Sequence, residues 1–347
     1  MAEVLKWYEK AGNHSDVVYS TRVRLARNLQ QYPFPGKANA QEKAEIENKI
    51  KDALLSGNSA AAKQFSFVPL DSLSEEEAVS LVERHIVSPE FISDRQGKAL
   101  LLSEDESFSI MINEEDHLRI QVMKEGLSLK EAAESADRLD TLLGESLRFA
   151  FDPELGYLTQ CPTNLGTGMR ASVMLHLPAL TESGAMPRIS SNLAKLGMAL
   201  RGSYGEGSQI TGAMYQLSNQ ITLGLSEAEA IDNLNAITAQ VIEQERRARE
   251  ELGSNLVIQD KIQRAAGVLK SAKILSSGEL MELLSYIRLG LSIGLLHGVT
   301  QEELNSLSVK AQPATLASSG EQPLEQTRRD IVRAQLVRQV CAKLSDV

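Results

Sequence analysis

The stretch SFSIMINEEDHLRIQVM, residues 107–123, predicts a β-hairpin, because two alternating apolar arms flank an acidic connection. Side chains alternate between the two faces of a strand, so every second residue of each arm lies on the same face. That face is apolar, which predicts a sheet packed against a hydrophobic core. Its members are Phe108, Ile110, Ile112, Leu118, Ile120 and Val122.

The other face of this hairpin carries the charges. Its connection holds three carboxylates, those of Glu114, Glu115 and Asp116. The same alternation groups Glu115, His117 and Arg119 opposite the apolar residues. The sheet is therefore expected to present acid and arginine side by side.

Further alternating segments predict strands of the same sheet at 169–177, near 198–204 and at 213–223. Serines followed three residues later by glutamate match the capping box and predict helix starts at Ser74, Ser128 and Ser226. An apolar stripe along 128–150 predicts that the helix there covers the sheet.

The pattern changes in the last third of the chain. After Ser226 it is almost wholly helical, and a Pro/Ser/Gly-rich stretch at 312–323 is expected to break it before the last helix. We therefore predict a domain boundary near residue 250.

Composition and charge narrow the classes of function. A net charge of −10 argues against nucleic acid as a partner, since phosphate backbones require a positive surface. Cys161 and Cys341 are far apart in the sequence, which predicts a cytoplasmic protein without a disulfide framework. The start, MAEVLKWYEK, lacks the apolar core of a signal peptide, and the most apolar stretch, 289–298, is too short to span a membrane.

Arginines recur on the predicted polar faces and beside glycine-rich turns. Guanidinium groups stay charged and bind phosphate oxygens through paired hydrogen bonds, so several of them in one cleft would neutralise a triphosphate. Spacing alone leaves open the alternative that they form unrelated surface ion pairs. Glu115 and Glu206 lie in the same segments and suit a cationic acceptor. The arginines are Arg22, Arg24, Arg119, Arg170 and Arg201.

The glycine-rich segment CPTNLGTGMR, residues 161–170, begins with one of the two cysteines. It lacks the Lys-Ser/Thr pair of a Walker phosphate loop, and no second cysteine or histidine stands at metal-ligand spacing. The residues by themselves leave its role open.

Four segments resemble the signature segments of the phosphagen (guanidino) kinases and occur in the same order. They are STRVRLARN at 20–28, NEEDHLR at 113–119, CPTNLGTGMR at 161–170 and RGSYGEG at 201–207. The resemblance is closest to the bacterial protein-arginine kinases of the McsB type, which also have a helical C-terminal region.

This resemblance implies an α+β fold, with an antiparallel sheet flanked by helices. The catalytic domain would span 1–250, and a helical C-terminal domain at 251–347 would serve dimerisation and phosphoarginine binding. The implied reaction transfers the γ-phosphoryl group of ATP, bound together with Mg²⁺, to arginine side chains of proteins.

The resemblance also assigns roles to residues. Glu115 would be the catalytic carboxylate, Glu206 a second acid that holds the guanidinium, and Cys161 a thiolate that orients the substrate. Asp116 would be structural. The implied nucleotide site comprises Ser20, Thr21, Arg22, Val23, Arg24, His85, Arg119, Arg170, Ala171, Ser172, Val173, Met174, Arg201, Gly202, Ser203, Tyr204, Gly205 and Glu206. Among these, Met174 stands where many relatives have a histidine that contacts ATP.

The last helix contains RDIVRA, residues 329–334, which is similar to a phosphoarginine-binding motif of the bacterial protein-arginine kinases. The similarity implies an allosteric site away from the active site. A solvated basic helix face remains an alternative from the residues alone. The allosteric residues would be Arg329, Asp330, Arg333 and Ala334.

Partners follow from the same resemblance. We expect protein substrates that present arginine, a homodimer, an activator protein, and protease or chaperone machinery of protein quality control, with no membrane or nucleic-acid partner. Nineteen residues precede Ser20, so we expect the N-terminal domain of metabolite-phosphorylating relatives to be absent and the acceptor site to be open. Two alternatives are a kinase for free arginine or another small guanidino compound, and a non-catalytic ATP-binding adaptor.

Overall fold

The structure is a computed structural model that describes residues 4–56, 62–202, 210–318 and 325–346. Its described strands are β1 Val18–Arg27, β2 Phe65–Pro69, β3 Ala99–Ser103, β4 Phe108–Ile112, β5 Leu118–Glu125, β6 Phe151–Asp152, β7 Gly156–Tyr157, β8 Met169–His176, β9 Met198–Gly202, β10 Met214–Asn219, β11 Leu296–His297 and β12 Ser345–Asp346. Eight of them form one antiparallel sheet in the order β2-β3-β4-β5-β1-β8-β10-β9. The predicted antiparallel sheet is confirmed.

Helices surround this sheet and make up most of the C-terminal third. The described α-helices are α1 Ala40–Leu55, α2 Glu75–Glu83, α3 Pro89–Ser93, α4 Leu129–Gly144, α5 Pro178–Glu182, α6 Met186–Lys195, α7 Glu227–Leu252, α8 Leu256–Ser271, α9 Ser277–Ser292, α10 Gln301–Lys310, α11 Pro313–Ser318 and α12 Gln326–Cys341. No helix within the described ranges combines the length and apolarity that crossing a membrane requires.

The hairpin of residues 107–123 forms as β4 and β5, with Ile110 opposite Ile120. Its alternating apolar residues belong to the main hydrophobic core, and α4 packs on this side of β1 and β5. The apolar stripe predicted along 128–150 is therefore confirmed as the layer that covers the sheet. Burial of this face fixes the register, since a slip of one residue would turn the core side chains outward.

Three details of the sequence prediction are wrong. His117 is fully buried and lies against the turn after β1, where its Nδ1 accepts from the amide of Leu29 at 2.9 Å. Ser128 does not cap α4, because its hydroxyl donates to the carbonyl of Glu125. The stretch 312–323 is not a simple break, since Pro313–Ser318 forms α11. The capping boxes at Ser74 and Ser226 are confirmed.

The C-terminal helices have their own hydrophobic core, yet polar contacts join them to the part of the chain that contains the eight-stranded sheet. The hydroxyl of Tyr19 in β1 lies 3.1 Å from that of Ser308 in α10. His176, at the end of β8, reaches Ser285 in α9 with its Nε2 at 2.8 Å. These contacts attach the helices to the polar face of the sheet, opposite α4.

A buried ion pair on α7 joins this helix to the chain before β1 and to the end of β8. Arg249 donates to Glu245 at 2.7 Å, and its other nitrogens donate to the carbonyls of Asp16 and His176. The carboxylate of Glu245 also accepts from the amides of Ala179 and Leu180. The Glu245 side chain is fully buried.

We predict that Glu245→Ala lowers the free energy of unfolding by about 3–5 kcal/mol, because it leaves a buried guanidinium without its counter-charge. The matched control is Glu243→Ala, which removes a solvent-exposed partner of Arg247 from the same helix and should cost at most about 1 kcal/mol. Urea unfolding of both variants provides the measurement. Equal losses in the two would mean that burial of the Glu245–Arg249 pair is unimportant.

Candidate active site

The pairing of β1 with its two neighbours brings the predicted arginines together. Arg24 stands opposite Arg170 of β8, and Arg119 of β5 stands opposite Ala26 of β1. Since alternate residues share a face, Arg22 and Arg24 lie on the polar side, opposite the core. Arg201 of β9 pairs with Gln216, whose side-chain oxygen accepts from Arg22 at 2.8 Å. Residues distant in sequence thus form one arginine cluster on one face.

Part of this arginine cluster has no acidic partner among the described residues, although Arg119 pairs with carboxylates. Among the described residues, Arg22, Arg24 and Arg170 form no ion pair, and nothing accepts from the buried Nε of Arg170. Burial, together with the charges of Arg119 and Arg170, lowers the pKa of Arg22 to about 10. Burial foremost, with the charges of neighbouring arginines, also lowers the pKa values of Arg24 and Arg170. Such an arrangement favours a bound anion with several oxygens.

Two carboxylates of the hairpin connection meet this cluster through Arg119. Arg119 pairs with Glu114 at 2.7 Å and with Glu115 at 2.9 Å. Glu114 is buried and accepts a hydrogen bond from Ser88, whereas the side chain of Glu115 is 38% exposed. Glu115 is therefore the acid that an incoming guanidinium can reach.

The loop before β8 supplies the thiol. Cys161 lies with its Sγ 3.1 Å from the hydroxyl of Thr163. Asp116 accepts from the amide of Gln160 at 2.8 Å and from Asn28, so it holds the loop at the residue before the thiol. This is the structural role expected for Asp116.

Glycine is needed where this loop passes between neighbours. At Gly166 the backbone has a φ of +108°, and a β-carbon would lie 2.2 Å from the carbonyl oxygen of Thr222. Any side chain there would displace the loop that carries Cys161, since L-residues rarely adopt this conformation.

These groups line one open cleft with a volume of about 530 Å³. It brings together five predicted site residues: Arg24, Glu115, Arg119, Cys161 and Arg170. It also contains residues that the sequence analysis missed, among them Glu90, Lys98 and Gln160. They sit in loops or a short helix without periodicity or motif, so no signal in one sequence identified them.

Other predicted nucleotide-site residues lie next to the cleft. His85, Ser20, Arg22, Ser172 and Met174 line a small neighbouring cavity. Burial and the charge of Arg22 lower the pKa of His85 to about 4, so its imidazole is neutral at pH 7.

Several residues predicted for the nucleotide site do not line the cleft or the small cavity beside it. Val23, Ala171 and Val173 are core residues with no exposed side chain. Thr21 is also buried, and its hydroxyl donates to the carbonyl of Gly126 at 2.7 Å. Gly202 ends β9. Ser203, Tyr204, Gly205 and Glu206 lie outside the described residues.

The predicted allosteric residues lie on α12, within the C-terminal helices. Arg333 is buried, donates to the carbonyls of Ala311 and Leu275, and pairs with Asp330. Ala334 is also buried, whereas Arg329 is partly exposed. The solvated-face alternative is therefore wrong for Arg333.

Comparison with known proteins identifies the family. The model of the ATP:guanido phosphotransferase C-terminal catalytic domain matches residues 45–248. The model of the protein-arginine kinase McsB C-terminal domain matches residues 255–347. The chain is 42% identical to the protein-arginine kinase of Clostridium acetobutylicum over 96% of its own length and 98% of that protein. It is 45% identical to that of Moorella thermoacetica over 97% of both chains.

The chain belongs to the protein-arginine kinases of the ATP:guanido phosphotransferase family. Solved structures of other guanidino kinases share its fold. Lombricine kinase superposes with a TM-score of 0.60 at 26% identity, covering 69% of this chain and 70% of that one. The duplicated taurocyamine kinase of Schistosoma mansoni, with bound transition-state-analogue components, superposes with a TM-score of 0.62 at 28% identity. The match covers 75% of this chain and 39% of that one. The expected family and fold are confirmed.

For this protein-arginine kinase we predict that a thiol reagent such as iodoacetamide abolishes activity through Cys161, because this thiol lines the cleft beside Arg170. ATP together with an arginine-containing substrate should protect it. The matched control is Cys341, which is fully buried and whose pKa burial raises to about 12. Cys341→Ser should be inactivated at the wild-type rate. Inactivation of Cys161→Ser at that same rate would contradict the prediction.

Proposed function

We propose that the cleft of Glu115, Arg119, Cys161 and Arg170 transfers the γ-phosphoryl group of ATP to arginine side chains of proteins. The observation that carries this proposal is the Glu115–Arg119 pair at 2.9 Å. A partly exposed carboxylate there already binds a guanidinium group, next to Arg24 and Arg170, which form no ion pair with any residue that the structure describes. The cleft thus has a site for a cation beside a site for an anion.

The proposed reaction begins with the acceptor guanidinium on Glu115. A guanidinium is a poor nucleophile, because its lone pairs are delocalised and its pKa exceeds ~12. Glu115 would orient one nitrogen toward the γ-phosphorus and accept its proton. The N–P bond forms as the bond from phosphorus to the oxygen of the ADP leaving group breaks. Arg24, Arg119 and Arg170 stabilise charge on the transferring group, and positioning supplies much of the rest.

Mg²⁺ fits this site only through the nucleotide. Within the described ranges, no three histidine, cysteine, aspartate or glutamate side chains are grouped to bind a metal. The phosphate oxygens would therefore hold the ion, which neutralises phosphate charge when bound. Arg22, Arg24 and Arg170, which have no acidic partner within the described ranges, fit an anion of this kind.

Cys161 and Glu206 would assist Glu115. A thiolate at Cys161, facing the positive charge of Arg170, would orient the acceptor electrostatically. Glu206, the second acid of the resemblance, is proposed to hold the other side of the guanidinium. A kinase for free arginine remains the alternative function, and mass spectrometry of the phosphorylated products distinguishes the two.

We predict that Glu115→Gln lowers the rate of phosphoryl transfer by ~10² or more, since it removes the charge that holds and deprotonates the acceptor. ATP affinity should change little, because the arginine cluster remains. The measurement pairs single-turnover phosphorylation of an arginine-containing protein such as casein with calorimetric titration of ATP. Near-normal turnover would exclude Glu115 from the mechanism.

Regulation by product is proposed for α12. An arginine can grip a phosphoryl group through two hydrogen bonds, while an aspartate pairs with the guanidinium of the same phosphoarginine. Arg329 is the partly exposed arginine of this motif and Asp330 its acid. Arg333 would act mainly by holding the helix, through its bonds to the carbonyls of Ala311 and Leu275.

We predict that Arg329→Ala weakens phosphoarginine binding and blunts activation by product, while ATP affinity is unchanged. The matched control is Arg328→Ala, which removes the exposed arginine one residue earlier. Calorimetric titration of phosphoarginine in a Glu115→Gln background avoids turnover. Equal binding in the Arg329→Ala protein and its parent would refute the allosteric site.

The remaining proposals concern the setting of the kinase. We propose a cytoplasmic enzyme of stress response and protein quality control, whose catalytic domain at 1–250 is followed by a dimerisation and phosphoarginine-binding domain at 251–347. Leu256 and Val257 support self-association, because these apolar side chains at the start of α8 are 76% and 64% exposed. An activator protein and a protease or chaperone are the further partners proposed.

A further inference from the structure

A second cavity, of about 210 Å³, lies between the sheet and the C-terminal helices. The catalytic part contributes His85 and Met174 to its wall. The C-terminal helices contribute Gly278, Met281 and Gln312. Its lining is mostly apolar with a few polar groups, which is typical of a small-molecule site.

This cavity continues the proposed phosphate site. His85 and Met174 line both it and the small cavity that contains Ser20 and Arg22. Along β1, Ser20, Arg22 and Arg24 share one face, and four strand residues span about 13 Å. The face therefore runs from Arg24 in the cleft to the cavity over a distance that suits an extended nucleoside triphosphate.

We propose that the C-terminal helices form one wall of the nucleotide-base site, with the purine of the phosphoryl donor between Met174 on the sheet and Met281 and Gln312 on the helices. This inference rests on the proposed function, since it assumes that the arginine cluster binds the phosphates. It assigns nucleotide recognition to residues outside the catalytic domain.

Gln312 provides this wall with a hydrogen-bonding group that can distinguish adenine from guanine. Its side-chain nitrogen donates to the carbonyl of Ser308 at 2.8 Å and contacts the sulfur of Met281 at 3.5 Å. No donor among the described residues reaches its side-chain oxygen, which is therefore a fixed acceptor. The exocyclic amine of adenine can donate to such an acceptor, whereas the corresponding oxygen of guanine cannot. The expected preference is for adenine.

The wall is held rigidly enough to select a ligand. Glu83, the last residue of α2 and two residues before His85, accepts from the amides of Ala314 and Thr315 at 2.9 and 2.7 Å. This fixes the start of α11 directly after Gln312. On the other side, Arg288 donates to Asn305 at 2.6 Å. A pre-formed pocket binds with less loss of conformational freedom than a mobile one.

Gly278 offers a direct way to fill the cavity. It lies in the first turn of α9, is exposed, and a β-carbon there would meet no atom within 4 Å. Gly278→Phe can thus place a ring in the cavity without backbone strain. Gly267 is a matched control, because it is also helical, exposed and open at its β-carbon, but does not line the cavity.

The experiment titrates ATP, GTP and inorganic tripolyphosphate calorimetrically into wild type, Gly278→Phe and Gly267→Phe. Gly278→Phe should weaken the affinity for ATP by about tenfold or more and change the affinity for tripolyphosphate by less than about twofold. Gly267→Phe should bind all three as wild type does. Gln312→Ala should reduce the preference for ATP over GTP.

Two outcomes would overturn the inference. One is an unchanged affinity for ATP in folded Gly278→Phe, and the other is an equal loss of affinity for ATP and for tripolyphosphate. If thermal unfolding shows that Gly278→Phe is not folded, Met281→Ala tests the same wall and should also weaken ATP selectively. Failure of the proposed function is distinguishable, because it would appear as absence of arginine phosphorylation by the wild-type protein.

Discussion

Repulsion among buried arginines is the constraint on which the active site depends. Arg22, Arg24, Arg119 and Arg170 are brought together by the pairing of β1 with β5 and β8, and burial together with the neighbouring arginine charges lowers the pKa values of Arg22, Arg24 and Arg170. Like charges at such separation oppose folding, so the cluster persists only because the other face of the same strands is buried in the main core. The sheet thereby holds positive charge ready for a phosphate ligand.

Arg27 shows how position decides the role of an arginine. It belongs to the same segment as Arg22 and Arg24, but it pairs with Asp140 at 2.8 Å and stacks on the ring of Tyr157 at 3.5 Å. It also donates to the carbonyl of Thr167, in the loop that leads to β8. This neutralised arginine stabilises the fold, whereas its neighbours keep their charge for a ligand.

The C-terminal helices are joined to this arrangement by polar contacts as well as by packing. Tyr19 reaches Ser308 of α10, and His176 reaches Ser285 of α9. Arg333 of the RDIVRA motif donates to the carbonyl of Ala311, the residue before Gln312. The motif and the interdomain cavity therefore share one backbone segment.

The sequence by itself determined the elements and the class of chemistry. Period-two alternation identified β4, β5 and β8, because one face of each strand is buried. The four kinase-like segments indicated phosphoryl transfer to a guanidinium. Short-range patterns were weaker where tertiary contacts compete: His117 follows a tight turn into the core, and the amide of Ser128 is held by the hydroxyl of Thr21.

Only the tertiary structure decided which charges are free and which are paired. No local pattern distinguishes Arg27 from Arg24, or the buried Glu114 from the accessible Glu115, because their partners come from other elements of the chain. Lys98 and the wall of C-terminal helices around the second cavity were likewise invisible in the sequence. Pairing, burial and cavities depend on residues that are distant along the chain, and a single sequence does not encode those distances in any local signal.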